Sequence, residues 1–237
     1  MNQSKERRGF SFIDALRVYH KHAVSGMENV PKKGRVLVVV NHSLATYDIG
    51  LLIGAIHEET GRKARPLGDR LLFKIPYLKD YMKSLGVVEG DVNTAIDLLS
   101  KEELVTVAPG GMRESLRPSS ERYQIMWEKR KGFAKLAIET QTPVLLAMCP
   151  KADDIFEVYP NKLTSWAYKN FKIPLFLARG FGPTLIPKPI PLKHYLSECV
   201  VPPKLKKTAV HPLQVYHFHK KLIKISNDLI EQALSST

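Results

Sequence analysis

Arg35 to Val40 reads as a strand buried on both faces, because Val36 to Val40 is a continuous apolar run rich in β-branched residues. Leu104 to Ala108 reads as a further buried strand and Pro143 to Cys149 as a strand. Between these runs the apolar positions recur at helical spacing. Asp48 is placed to cap a helix from Ile49 to Glu59, and Asp91 one from Val92 to about Lys101. Further helices are predicted over Leu71 to Leu85, broken before Pro76, and over Lys129 to Thr140. Short strands are predicted over Arg65 to Leu67 and Gly86 to Val88. Gly50 and Gly54 lie four apart on one helix face, so a neighbour is expected to pack closely there.

The ends are amphipathic. Phe10 to Met27 carries Phe10, Ile13, Leu16 and Tyr19 on one helical face, which suits either packing on the core or lying in a membrane interface. His211 to Leu234 reads as a closing helix, with Leu213, Val215, Phe218, Leu222, Ile225, Leu229 and Ile230 apolar. Pro109 to Arg122 reads as a long polar loop, and Leu192 to Val200 as an edge strand. Alternating strands and helices predict an α/β fold: a partly parallel central sheet flanked by helices. The expected organisation is one domain over residues 1–237, with 1–30 an amphipathic helix open to membrane contact and 211–237 a closing helix.

Composition narrows the partners. The chain of 237 residues has a net charge of +13. Its basic residues fall in small clusters such as Lys129-Arg130-Lys131 and Lys204 to Lys207. Nucleic acid, an anionic membrane and a phosphate-bearing ligand all suit that charge. No nucleic-acid-binding motif stands in the chain and its aromatics are not interleaved with the basic clusters, so no nucleic-acid partner is expected. The two cysteines, Cys149 and Cys199, make no disulfide framework. No apolar run approaches the roughly 18–20 residues of a spanning helix. The expected location is cytoplasmic, peripheral on the inner face of a membrane.

Two clusters follow buried strands, where ligands gather in open α/β sheets. In the first, His42 comes directly after the Val36 to Val40 run, with Asp48 nearby. A neutral imidazole suits general-base work near pH 7, and a carboxylate on its far nitrogen would fix the tautomer. Alone, the pair reads more readily as a loop histidine and a helix cap. In the second, Gly110 and Gly111 follow a strand and let backbone N–H groups converge on an anion, and Arg113 adds a cation. Alone, this reads equally as an ordinary turn. His57-Glu58 lacks a histidine at 61, so the zinc-protease pattern fails and no metal site is expected. His217 and His219 read as surface or partly packed groups, and Cys149 as a core residue.

Together these blocks resemble the glycerophospholipid (lysophosphatidic acid type) acyltransferase superfamily, over roughly residues 33 to 203. Asn41-His42 and Asp48 stand where the family has NHxxxxD. Leu72 to Pro76 and Leu85-Gly86 resemble its phenylalanine-proline helix and LG step. Pro109-Gly110-Gly111-Met112-Arg113 replaces PEGTR, and Lys131-Gly132-Phe133 and Thr142 to Leu145 match a following helix and strand. There are two departures. Five residues rather than four separate His42 from Asp48, and Gly110 stands where the family has glutamate. Proline-glycine-glycine with Arg113-Glu114 is closest to the branch of type 2 diacylglycerol acyltransferases, phytyl ester synthases and transmembrane protein 68.

The resemblance implies transfer of a fatty acyl group from acyl-CoA or an acyl carrier protein, as co-substrate, to a lipid hydroxyl. No separate cofactor is implied. The branch implies a neutral glycerolipid or long-chain alcohol as acceptor. The alternatives are a lysophospholipid acceptor and a non-catalytic lipid-binding module of the same fold. His42 would be the base and Asp48 its orienting partner. Gly110, Gly111, Arg113, Glu114 and Phe73 would bind substrate, and an anionic membrane surface would be a further partner.

Overall fold

The computed structural model describes residues 12–44, 47–70, 73, 78–160, 177–205 and 209–236. Nine strands appear among them: β1 (Ala23–Ser25), β2 (Val36–Val40), β3 (Ala64–Gly68), β4 (Val88–Glu89), β5 (Leu104–Val107), β6 (Val144–Met148), β7 (Glu157–Tyr159), β8 (Leu177–Arg179) and β9 (Lys193–Leu196). Seven form one sheet in the order β1-β9-β6-β2-β5-β3-β4, while β7 and β8 pair separately. β2 lies parallel to both β5 and β6, and β3 lies parallel to β5 and β4. β9 runs antiparallel to β6 and carries β1 parallel to itself. The sheet is therefore mixed and mostly parallel, as the alternating pattern predicts.

Helices cover both faces. They are α1 (residues 12–19), α2 (Tyr47–Thr60), α3 (Leu78–Ser84), α4 (Val92–Ser100), α5 (Gly111–Ser115), α6 (Gly132–Glu139) and α7 (Pro212–Ser235). β2 shows why its run is apolar throughout. Leu37 and Val39 pack with Leu99, Trp127, Phe133 and Leu222 from the α4, α6 and α7 side. Val36, Val38 and Val40 pack with Ile49, Leu52, Ile53 and Ile56 of α2. All five β2 residues are buried, each worth about 1.5–3 kcal/mol of apolar transfer. Asp91 caps α4, its carboxylate accepting from the N–H groups of Asn93 (2.7 Å) and Thr94 (3.4 Å). His211 and Gln214 form a capping box on α7.

Several expectations change. The helix expected over Phe10 to Met27 ends by His20; Phe10 itself lies outside the described residues. Lys21 adopts a φ of 43° and the His22 N–H closes onto the Arg17 carbonyl at 2.8 Å, which turns the chain into β1. β9 is not an edge strand, because β1 covers its outer side. The stretch expected as a loop over Pro109 to Arg122 contains α5. α2 begins at Tyr47, so Asp48 sits inside its first turn rather than at its cap, where its charge still faces the helix dipole favourably. Leu213 is exposed, whereas His219 is buried and shares a hydrogen bond of 3.0 Å with the Trp127 carbonyl. The helix expected over Leu71 to Leu85 is described only as α3, since 71–72 and 74–77 lie outside the described residues.

Candidate active site

The carboxyl ends of β5, β2 and β6 lie side by side, and both sequence clusters begin there. Asn41, the first residue after β2, is clamped to the end of β6. Its Oδ1 accepts from the Cys149 N–H at 2.8 Å and its Nδ2 donates to the Cys149 carbonyl at 3.3 Å. That fixes the start of the His42 segment. His42 keeps 9% of its surface. Its Nδ1 lies 3.0 Å from the main-chain carbonyl of Ser43. A carbonyl only accepts, so Nδ1 carries the proton of the neutral ring and Nε2 holds the free lone pair. Burial lowers the His42 pKa to about 4, helped by the Arg117 charge and opposed by the Ser43 carbonyl. The imidazole is neutral at pH 7.

Asp48 is fully buried, and it is not hydrogen-bonded to His42. Its Oδ1 accepts from the Ser43 hydroxyl, and its Oδ2 has no side-chain or main-chain hydrogen-bond partner among the described residues. Burial raises its pKa to about 6, against the Ser43 hydrogen bond. The link expected between carboxylate and imidazole thus runs through Ser43. The hydroxyl of Ser43 donates to Asp48, and its carbonyl accepts from His42.

The second cluster follows β5. Its two glycines are needed for different reasons. Gly111 has a φ of 52°, the left-handed region that favours glycine. Gly110 has an ordinary helical φ of −64°, but a Cβ there would lie 1.8 Å from the Glu114 Oε2. The Gly111 N–H is hydrogen-bonded to the Ala108 carbonyl at 3.2 Å and is not a free anion donor. Arg113 is exposed and makes no ion pair among the described residues. Glu114 does not anchor Arg113 but points inward with 0% exposure. It accepts from the Trp127 indole at 3.1 Å, the Met126 N–H at 3.4 Å and Arg117 at 3.4 Å. Burial raises its pKa to about 7, with Arg117 the main opposing influence. Phe73 is half-buried beside Gly68, at the end of β3.

Three residues join this site that sequence reasoning missed. The Arg117 guanidinium donates to the His42 carbonyl (3.3 Å), to Asp153 (2.7 Å) and to the Gln124 carbonyl (2.5 Å), besides Glu114. Asp153 accepts in turn from the Tyr123 N–H at 2.8 Å. Burial raises the Asp153 pKa, against Arg117. Trp127 is completely buried against Phe133. A tryptophan at the end of a short apolar stretch, Ile125 to Trp127, is a signal that the sequence offers for this segment. Nothing separates Arg117 from its neighbours Arg113 and Arg122 before the chain is folded.

Comparison with known proteins gives the family and the fold. The family model described as Acyltransferase matches residues 21–148. A Bos taurus protein named "DGAT1/2-independent enzyme synthesizing storage lipids" is 30% identical over 182 residues, 76% of this chain and 52% of the relative. "Diacylglycerol O-acyltransferase 1" of Saccharomyces cerevisiae is 34% identical over 164 residues, 62% of this chain and 38% of that one. The chain thus spans about half or less of these relatives' length. In structure it is similar to the 1-acyl-sn-glycerophosphate (LPA) acyltransferase PlsC from Thermotoga maritima, with a TM-score of 0.59 and 20% identity, covering 94% of this chain and 78% of that one; this likeness speaks to the fold. A histidine after a buried strand, a Gly-Gly turn after its neighbour and a family model spanning both agree: the chain belongs to the acyltransferase family, within the glycerophospholipid acyltransferase superfamily.

Proposed function

We propose that this chain transfers a fatty acyl group from a thioester to a lipid hydroxyl, with His42 as general base. The observation that carries this is the His42 ring itself: buried, neutral, and held by the Ser43 carbonyl in the tautomer that leaves Nε2 free. Nε2 takes the proton of the acceptor hydroxyl as its oxygen attacks the thioester carbonyl carbon. The tetrahedral intermediate collapses, the carbon–sulfur bond breaks, and the imidazolium returns the proton to the leaving thiolate. One ester and one free thiol result. Asp48 contributes through Ser43, fixing the carbonyl that fixes the ring. Arg113, exposed and unpaired among the described residues, suits the phosphates of acyl-CoA or of a carrier protein's prosthetic arm. Gly110 and Gly111 shape the turn that presents it. Phe73 at the β3 end suits contact with the acyl chain.

The names of the bovine and yeast relatives favour a neutral glycerolipid acceptor. The net charge of +13 suits an anionic membrane surface as the place where donor and acceptor meet. The test is release of free thiol from acyl-CoA and from acyl carrier protein, with monoacylglycerol, diacylglycerol, a long-chain alcohol and lysophosphatidate offered in parallel. Ester formation with a neutral acceptor is expected. Ester formation with lysophosphatidate alone would reassign the acceptor. Absence of any acceptor-dependent thiol release would leave a lipid-binding module.

A further inference from the structure

The Arg117 side chain is nearly inaccessible, with 4% of its surface exposed, yet it lies in a polar connection. Its terminal nitrogens reach four acceptors: the Glu114 carboxylate, the Asp153 carboxylate, and the main-chain carbonyls of Gln124 and His42. Those two nitrogens carry four N–H groups, so this end of the fork is saturated. Three of the acceptors belong to segments that follow three neighbouring strands. His42 follows β2, Glu114 lies on α5 after β5, and Asp153 lies in the turn after β6. One guanidinium therefore ties together the ends of the strands that frame the site.

Glu114 is held just as fully, by Arg117, the Trp127 indole and the Met126 N–H. Its carboxylate fills the volume that a side chain at position 110 would enter. A Cβ on Gly110 would meet Glu114 Oε2 at 1.8 Å and its Cβ at 2.4 Å. The backbone at 110 is ordinary helical, so it is the Glu114 side chain, its Cβ as well as its carboxylate, that requires glycine there. From these contacts we infer that Arg117, held by Glu114 and Asp153, positions His42 for proton transfer, and that Glu114 supplies from α5 the carboxylate that position 110 lacks.

This rests on the reading of His42 as the base. A buried ion cluster is weak evidence for stability, because desolvation offsets its attraction. Positioning fits better, since a rigid planar fork locates its partners more closely than a flexible cation does. The charged groups around His42 are Arg117 at its carbonyl, Asp48 through Ser43, and Glu114 and Asp153 on the far side of the guanidinium.

The first test exchanges the carboxylate between positions. Gly110→Glu alone is expected to lose stability and rate. Glu114→Ala alone is expected to lower kcat about tenfold or more with KM within about threefold, the pattern of a misplaced base. The pair Gly110→Glu with Glu114→Gly, which also removes the Cβ at 114, is expected to recover most of that kcat. A folded pair no faster than Glu114→Ala would overturn the exchange. The second test does not depend on the pair folding. Arg117→Lys keeps the charge and loses the fork, so kcat is expected to fall about tenfold with KM little changed. Wild-type kcat in Arg117→Lys would overturn the positioning role. Arg117→Met removes the charge, and NMR titration of the His42 ring should then show a midpoint above the wild-type one. An unmoved midpoint in folded Arg117→Met would contradict the contact. The titration needs no turnover, so it separates failure of this inference from failure of the base assignment, which a full rate in His42→Ala would reveal.

Discussion

At the residue scale, burial drives the site's titratable groups in opposite directions. It lowers His42 to about 4 and raises Asp48 to about 6 and Glu114 to about 7. A desolvated group resists its charged form, which for imidazole is the acid and for carboxylate the base. Ring titration of His42 by NMR is therefore expected to stay flat through pH 6.5 and to turn only toward pH 4; a midpoint at 6.5 would mean the ring is solvated. Glu114 gives a stability test with a definite sign. Its folded pKa lies above its ordinary 4.5, so its contribution is fully present below pH 4.5 and is lost as pH rises through about 7. Glu114→Gln cannot ionise and escapes that loss. Relative to wild type, the variant is expected to gain about 2–3 kcal/mol between pH 4.5 and 8, read as the change in the Tm difference. A Tm difference independent of pH would contradict the buried, desolvated carboxylate.

At the element scale, the two glycines of α2 make a matched pair. A Cβ on Gly54 would come 2.7 Å from Ile13 Cγ2, whereas one on Gly50 would meet nothing within 4 Å among the described residues. Gly50→Ala should stabilise the helix by about 0.5–1 kcal/mol and raise Tm by about 1–4 °C. Gly54→Ala must move Ile13 and is expected to lower Tm. Equal effects at both positions would contradict the docking of α1 on α2. The close packing expected of this face thus holds at Gly54 and not at Gly50. Which elements were legible follows the same physics. β2 and β6 are buried throughout and their uninterrupted apolar runs announce them; β5 is nearly so, with Thr106 its one polar residue. β1 is only three residues long and partly exposed, and it exists because β9 offers it hydrogen bonds. No local pattern reports such a partner, and so β9 read as an edge. At the site, His42 and the Gly-Gly turn were legible because each directly follows a legible strand. Arg117 was not, because its importance lies in acceptors drawn from separate connections that meet only in the folded chain.

At the scale of the whole molecule, the candidate site lies at the carboxyl ends of the sheet's interior strands β6, β2 and β5, and the surface bears on where it would work. Among the described residues no helix is long and apolar enough to cross a membrane. The net charge of +13 is accompanied by exposed apolar side chains at Phe181, Leu185 and Ile186. Cosedimentation with vesicles containing anionic phospholipid is expected, weakening as salt rises from roughly 0.05 M to 0.5 M and screening shortens. Equal binding to neutral vesicles at all salt concentrations would remove charge from the explanation. The proposed acyl transfer itself depends on one imidazole, and its most direct measurement is the acceptor-dependent release of thiol from acyl-CoA by wild type and by folded His42→Ala. Loss of about a hundredfold or more in kcat is the expected result. An unchanged rate would contradict His42 as the base.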